Sequence, residues 1–177
     1  MDLFSGIQDY EKDGTGLKFI VFNSNMKAQI NYKKALIWGA VVWIAQMMFG
    51  NLLWLNPIAI KINKAFTDHP SIKPLDFLGS MEKWIFINFL FSTFYTVICI
   101  VLYVILHNSI PGKGWRKGLF FGCMIGFIKA VPEAFNQWMV FVYPWQLTIL
   151  QLFNTIISLL FFGWILGYLY DKKQIIV

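Results

Sequence analysis

Charge is scarce in this chain, and the clustered charge on which much protein chemistry depends is scarcer still. Only 14% of its 177 residues are Asp, Glu, Lys or Arg, and Arg116 is the single arginine. A nucleic-acid groove is built from clustered basic residues interleaved with aromatics. No such run occurs, so the net charge of +6 is not read as a nucleic-acid footprint. Cysteine occurs twice, at Cys99 and Cys123. With no Cys-x-x-Cys and no zinc-type spacing, dithiol redox chemistry and a structural zinc site are excluded, and two buried free thiols are expected. His69 and His107 fall at opposite ends of the helical layout derived below and cannot share one haem or metal. There is no His-Glu-x-x-His, no phosphate-cradling loop and no Gly-x-Ser-x-Gly; Pro111, Gly112, Lys113 and Gly114 form a turn. No pair of aspartates lies within the apolar runs, which removes aspartyl intramembrane hydrolysis. The expectation is a non-enzyme without metal or cofactor. An enzyme would require Lys129 and Glu133 to act as an unusual acid–base or Schiff-base pair.

What is abundant is apolar. Hydrophobic residues make up 58% of the chain and aromatics 19%, with Phe alone present 18 times, outside the range of soluble domains. The excess is concentrated in four runs, 35–56, 84–106, 117–142 and 145–170, each at or above the roughly 20 residues that cross a bilayer. The predicted class is therefore all-α: a polytopic membrane protein whose antiparallel four-transmembrane-helix bundle occupies 34–173, between an N-terminal segment 1–33 and a short tail 174–177. In the long loop 57–83, Ile58, Ile62, Ala65 and Phe66 recur at helical spacing opposite Lys61, Asn63 and Lys64, predicting a short interfacial helix that Pro70 and Pro74 terminate. A lid over the bundle is its functional alternative.

Four spans put both termini on one side. That side carries Lys27, Lys33, Lys34, Lys113, Arg116, Lys117, Lys172 and Lys173; the other carries Lys61, Lys64, Lys73 and Lys83. The positive-inside rule makes the richer side cytoplasmic. Trp54, Trp84, Tyr143 and Trp145 then mark the outer interface, and Trp115, Tyr168 and Tyr170 the inner one. The acidic, polar start shows no signal peptide, so the first span is expected to act as its own insertion signal. Met26, just ahead of the basic 27–34 stretch, reads as an alternative start. The run 17–22 (LKFIVF) is open between a short strand, an interfacial segment and a partner contact.

The third run carries small residues at every fourth position, Gly118, Gly122, Gly126, Ala130 and Ala134, and the fourth carries Gly163 and Gly167. In lipid, small residues let helix backbones approach closely. The matching depths predict contact of spans three and four, with a homodimer seam as the competing use of the same row.

About 60° around the same helix lies a second row, Lys129, Glu133 and Gln137. A charge at the bilayer centre costs on the order of 2.5–3.5 kcal/mol on insertion scales. Lys129 is also about 18 Å of helix rise from either end, beyond the reach of its side chain, so it needs an internal partner. Glu133 is the one in sequence. Pro132, between them, has no N–H to offer the Ile128 carbonyl; a kink there would expose that carbonyl, as in transporters with broken helices. Counted from the outer turns, Glu133 and Thr155 are each eleven residues from Pro144, Tyr95 is eleven from Trp84 and Gln46 ten from Asn56. Gln151, Asn154, Thr155 and Ser158 share one helix face, and Ser92 and Thr96 flank Tyr95. Every span thus brings hydrogen-bonding groups to one level. The predicted site is Lys129, Glu133, Gln137, Asn154, Thr155, Ser158, Gln46, Tyr95 and Thr96: a polar cavity near the midplane for a small solute, ion or proton. The structural alternative is interhelical glue, with Lys129 satisfied by Glu133.

The run from Ile110 through Pro111, Gly112, Trp115 and Gly118 to Gly122, followed by Gly126, resembles the opening of the third helix in small bacterial four-helix membrane proteins of unassigned function. Gly163, Gly167 and Tyr170 resemble the close of their last helix. The resemblance covers 33–173 and implies a bundle in the bacterial inner membrane, with no activity attached. The expected partners are the lipid bilayer and either further copies of the chain or a membrane partner protein. The functions in view are transport or small-molecule binding and, as the alternative, a non-catalytic membrane subunit.

Overall fold

A computed structural model of the chain describes residues 31–73, 77, 79–173 and 175. The run 17–22, Met26, Lys27 and Pro74 lie outside the described residues. Five helices follow in order: α1 (Tyr32–Trp54), α2 (Pro57–Ala65), α3 (Met81–Leu106), α4 (Gly114–Met139) and α5 (Trp145–Lys172). No strand occurs among the described residues. The four long helices are each apolar enough to cross a membrane, and the 26 residues of α3 or α4 rise about 39 Å.

Capping chemistry sets ends that hydropathy places only roughly. Asn31 starts α1 by accepting from the Lys34 N–H at 3.1 Å, so the helix opens ahead of residue 35. It stops before Asn56 because that side chain caps α2, accepting from the Ala59 N–H at 2.9 Å, with Pro57 at the first helical position. Both are standard N-terminal signals. Ser80 caps α3 through the Lys83 N–H at 3.3 Å, adding a turn before Trp84. At the start of α4 the chain reverses through Gly112 at φ +94°, a conformation that glycine adopts without strain. The helix therefore begins at Gly114, three residues ahead of 117, and continues through Pro132.

The helices run alternately up and down. Gly39 faces Ile100, and Trp43 packs edge-on against Phe89 at 5.2 Å, pairing α1 with α3. Tyr170 Oη donates to the Ala35 carbonyl at 3.4 Å, and Phe49 stacks on Phe161 at 4.1 Å, pairing α1 with α5. The closest seam joins α4 to α5. A Cβ added to Gly167 would lie 2.6 Å from the Gly114 carbonyl oxygen, and one on Gly118 would lie 2.7 Å from Gly167 Cα. Gly122 and Gly163 are equally tight against backbone, whereas a Cβ on Gly126 would meet nothing nearer than 3.7 Å. The small-residue row is thus used between helices of one chain.

At the end where the termini meet, Tyr103 is completely buried. Its ring contacts Phe121 at 5.2 Å, His107 at 5.4 Å and Tyr170 at 5.8 Å, drawing α3, α4 and α5 together. The C-terminal residues close on α1: the Asn31 N–H donates to the Ile175 carbonyl at 3.0 Å, and Lys34 Nζ donates to the Lys173 carbonyl at 3.3 Å. At the far end α2 lies against α5 and α1, with Ala59 buried and Ile58 facing outward.

Candidate functional site

Toward the far end the four long helices separate around a half-open cavity of about 440 Å³, at whose edge Lys129 stays exposed. Its walls explain its polarity. Gln46 and Gly50 come from α1, Asn88, Ser92, Tyr95 and Thr96 from α3, Lys129 from α4, and Asn154, Thr155 and Ser158 from α5. It runs from the level of Trp54 and Asn88, near the far ends of α1 and α3, down to Lys129 at mid-length of α4. Seven of the nine site residues expected from the sequence line this one space: Lys129, Gln46, Tyr95, Thr96, Asn154, Thr155 and Ser158.

The two charges part company. Lys129 Nζ sits 4.4 Å from the centre of the Tyr95 ring, a cation–π contact that reaches from α4 to α3. Glu133 turns to α5, where its Oε1 accepts from Gln151 Nε2 at 2.6 Å, and Gln151 Oε1 in turn accepts from Gln137 Nε2 at 3.1 Å. One turn on a helix advances 360° per 3.6 residues, so residues four apart point about 40° apart. Here that difference, together with the Gln151 amide, separates the pair. Glu133 and Gln137 belong to a small crevice between α4 and α5 beside Ala130, Ala134 and Thr148. Thr155 borders both spaces. Gln151, on the shared face of α5, is the hub that fastens Glu133.

Inside the cavity the polar groups are only partly spent. Gln46 Nε2 donates to Ser158 Oγ at 2.7 Å, and Asn154 Nδ2 donates to the Leu53 carbonyl at 3.4 Å. Thr96 Oγ1 donates back to the Ser92 carbonyl of its own helix at 2.8 Å. Among the described residues Gln46 Oε1 is buried with no hydrogen-bond partner, while the buried Tyr95 Oη has the Cys99 thiol beside it. Among the described residues no group of His, Cys, Asp and Glu gathers into a metal site, and Cys99 and Cys123 are both free thiols.

A second titratable cluster lies at the closed end, where α3 ends, α4 begins and α5 ends. Burial holds the His107 imidazole down to about 4; the Lys117 ammonium adds to the fall and Asp171 opposes it. His107 Nδ1 is buried without a partner, while the His107 carbonyl accepts from Lys117 Nζ at 2.7 Å. In the turn before α5, burial raises the Tyr143 phenol, and the Glu133 carboxylate raises it further.

Compared with protein-family models, with curated proteins and with solved structures, the chain finds no match. The case for function therefore rests on the arrangement itself: four helices with the length and hydropathy of membrane spans around a polar cavity with a lysine on its wall.

Proposed function

We propose that this chain is a multi-pass membrane protein that takes a small anionic solute into the cavity between its helices, as the binding step of transport. The observation that carries this reading is the setting of Lys129. Its ammonium lies on the cavity wall over a tyrosine ring, while the nearest carboxylate in sequence is held by Gln151. A cation–π contact contributes roughly 0.5–2 kcal/mol, less than the cost of holding an uncompensated charge at that depth. An anion entering the cavity completes the pair. Gln46, Ser92, Asn154, Thr155 and Ser158 supply neutral hydrogen bonds around it.

The membrane placement follows from the same residues. With both termini cytoplasmic, the basic cluster at the closed end meets the negative leaflet, the cavity opens outward, and α2 lies along the outer surface with Ile58 toward lipid. The resemblance drawn from the sequence supports the bacterial inner membrane. A path through four helices is narrow, which favours an oligomer as the working unit. Because Gly118, Gly122, Gly163 and Gly167 pack in the α4–α5 seam, a membrane-subunit role would have to use another surface.

The test is binding and flux of simple anions, chloride, phosphate and acetate, with the purified chain and with proteoliposomes. Lys129→Met is expected to lower affinity for the bound anion at least tenfold with the melting temperature kept, and Glu133→Gln to change it much less. Equal binding by Lys129→Met and the parent would sink the proposal.

A further inference from the structure

A second space opens between α1 and α3 and meets the polar cavity at Thr96. It encloses about 700 Å³, within the roughly 300–1,000 Å³ of ligand pockets. Its walls are almost wholly apolar: Leu36, Ala40 and Trp43 on one side, Val97, Val101 and Ile105 on the other. It exists because α1 and α3 touch at Trp43–Phe89 and Gly39–Ile100 and part below them, with small residues facing the gap.

We propose that this crevice holds one acyl chain of an anionic phospholipid from the leaflet on the side of the termini, with its headgroup on the lysines at the crevice mouth. Three observations select that occupant. First, the crevice runs from Ala35 at the end of α1 to Trp43 at mid-helix, eight residues or about 12 Å of rise, close to half of the roughly 30 Å hydrocarbon core. It is thus one leaflet deep and open at the interfacial end. Second, its mouth is basic. Lys33 precedes Leu36, Ala40 and Trp43 by three, seven and ten residues, which places it on the same stripe of α1, and Lys34 and Lys173 meet at the same end. Clustered lysines at a membrane face attract anionic headgroups. Among the described residues the acidic group near this end is Asp171, which lies beside Gly114 and acts on the Lys117 charge across α4 and α5. Third, the walls offer a headgroup little deeper in: Thr93 and Thr96 donate to the carbonyls of their own helix at 2.8 Å, Tyr170 Oη donates to the Ala35 carbonyl, and the Trp43 indole N–H, a single neutral donor, is the group left over. The tail goes in and the charge stays out.

This site does not include Lys129 and is tested separately. The purified chain is mixed with phosphatidylglycerol or phosphatidylcholine of identical tails, and retained lipid is counted by native mass spectrometry. One phosphatidylglycerol per chain is expected, at least fivefold preferred. Ala40→Phe fills the crevice from α1 and Val101→Phe fills it from α3; both positions are exposed, so either is expected to fold, as checked by melting temperature, and to lose the retained lipid. Lys33→Gln is expected to abolish the preference while a tail still binds. Equal retention of the two lipids by the parent, or undiminished retention in both filled variants, overturns the proposal. So does a parent dimer that the filled variants convert to monomer, since that assigns the crevice to a second copy.

Discussion

The same four helices make two unlike regions. At the closed end, glycines bring α4 and α5 into backbone contact and Tyr103 gathers three rings around itself. At the open end the residues at comparable positions are Gln46, Ser92, Asn154 and Ser158, and the helices stand apart around about 440 Å³. In lipid there is no hydrophobic drive between helices, so association rests on close packing and on hydrogen bonds averaging about 0.6 kcal/mol in one measured system. The closed end uses the first device fully. The open end uses the second incompletely, leaving Gln46 Oε1 buried and unpaired among the described residues. Stability alone would favour apolar residues there. Close packing thus holds the bundle at one end, and under the proposed function the polar groups at the other are those that would meet a solute.

The comparison breaks most easily at Gly163. Alanine there drives a methyl against the Gly118 carbonyl and the Gly122 backbone, and backbone cannot step aside as a side chain can. Overpacking costs about 1–3 kcal/mol and occasionally more; Gly163→Ala is expected at or above the top of that range, read as a lowered melting temperature in detergent. Tyr103→Leu comes next. It gives up ring contacts worth about 0.5–1.5 kcal/mol each beyond area and leaves part of the space empty, so a loss of about 2 kcal/mol is expected. Gln46→Leu at the open end should fall within about 0.5 kcal/mol of the parent, because one modest hydrogen bond and one orphaned carbonyl disappear together. A large loss at Gln46 would show that the open end also holds the fold, and the division between the ends would fail.

How far the two regions could be read from sequence differs for a physical reason. Span count and length follow from hydropathy, and the α4–α5 seam follows from glycine spacing, because both depend on residues near one another along a helix. The common level of Gln46, Tyr95, Thr155 and Ser158 follows from counting inward from interfacial residues, since helical rise is constant. The fate of Lys129 does not. Whether it meets Glu133, four residues on, or Tyr95, on another helix, depends on how α3 and α4 rotate against each other, and Gln151 tips the outcome by holding Glu133. That glutamine was visible on the α5 face, but nothing in the spacing says which carboxylate or amide it will face. The α1–α3 crevice was equally hidden, since a gap is made by where Phe89 and Ile100 touch rather than by any motif. Helix ends moved by up to three residues because Asn31, Ser80 and Asn56 cap, which hydropathy does not weigh.

Acid tests the closed end from another direction. The folded chain holds His107 neutral with a pKa near 4, below the usual value of about 6.5. Above pH 6.5 the imidazole is neutral in both folded and unfolded states and contributes nothing to the difference. Between 6.5 and 4 the unfolded chain takes up a proton that the fold refuses, so stability falls with pH over that window and levels off beneath it. His107 is half-buried, and solvent screening keeps the effect modest. His107→Gln should flatten the slope of melting temperature between pH 6.5 and 4; an unchanged slope would place the acid sensitivity elsewhere.

The finest test lies within the glycine row itself. Gly118, Gly122 and Gly126 are equivalent in sequence, four residues apart, yet a methyl on Gly126 would find its nearest neighbours, Ile156 Cα and Leu159 Cβ, at 3.7 Å, ordinary contact distance. The helices have begun to diverge there, on the way to the cavity. Gly126→Ala should therefore lie within about 0.5 kcal/mol of the parent, or above it, because alanine favours a helix by about 0.8–1.0 kcal/mol over glycine. Gly118→Ala, eight residues below, should behave like Gly163→Ala. If Gly126→Ala destabilised as much as Gly118→Ala, the two helices would be in close contact along their whole length, and the space beside Thr155 and Lys129 would not exist.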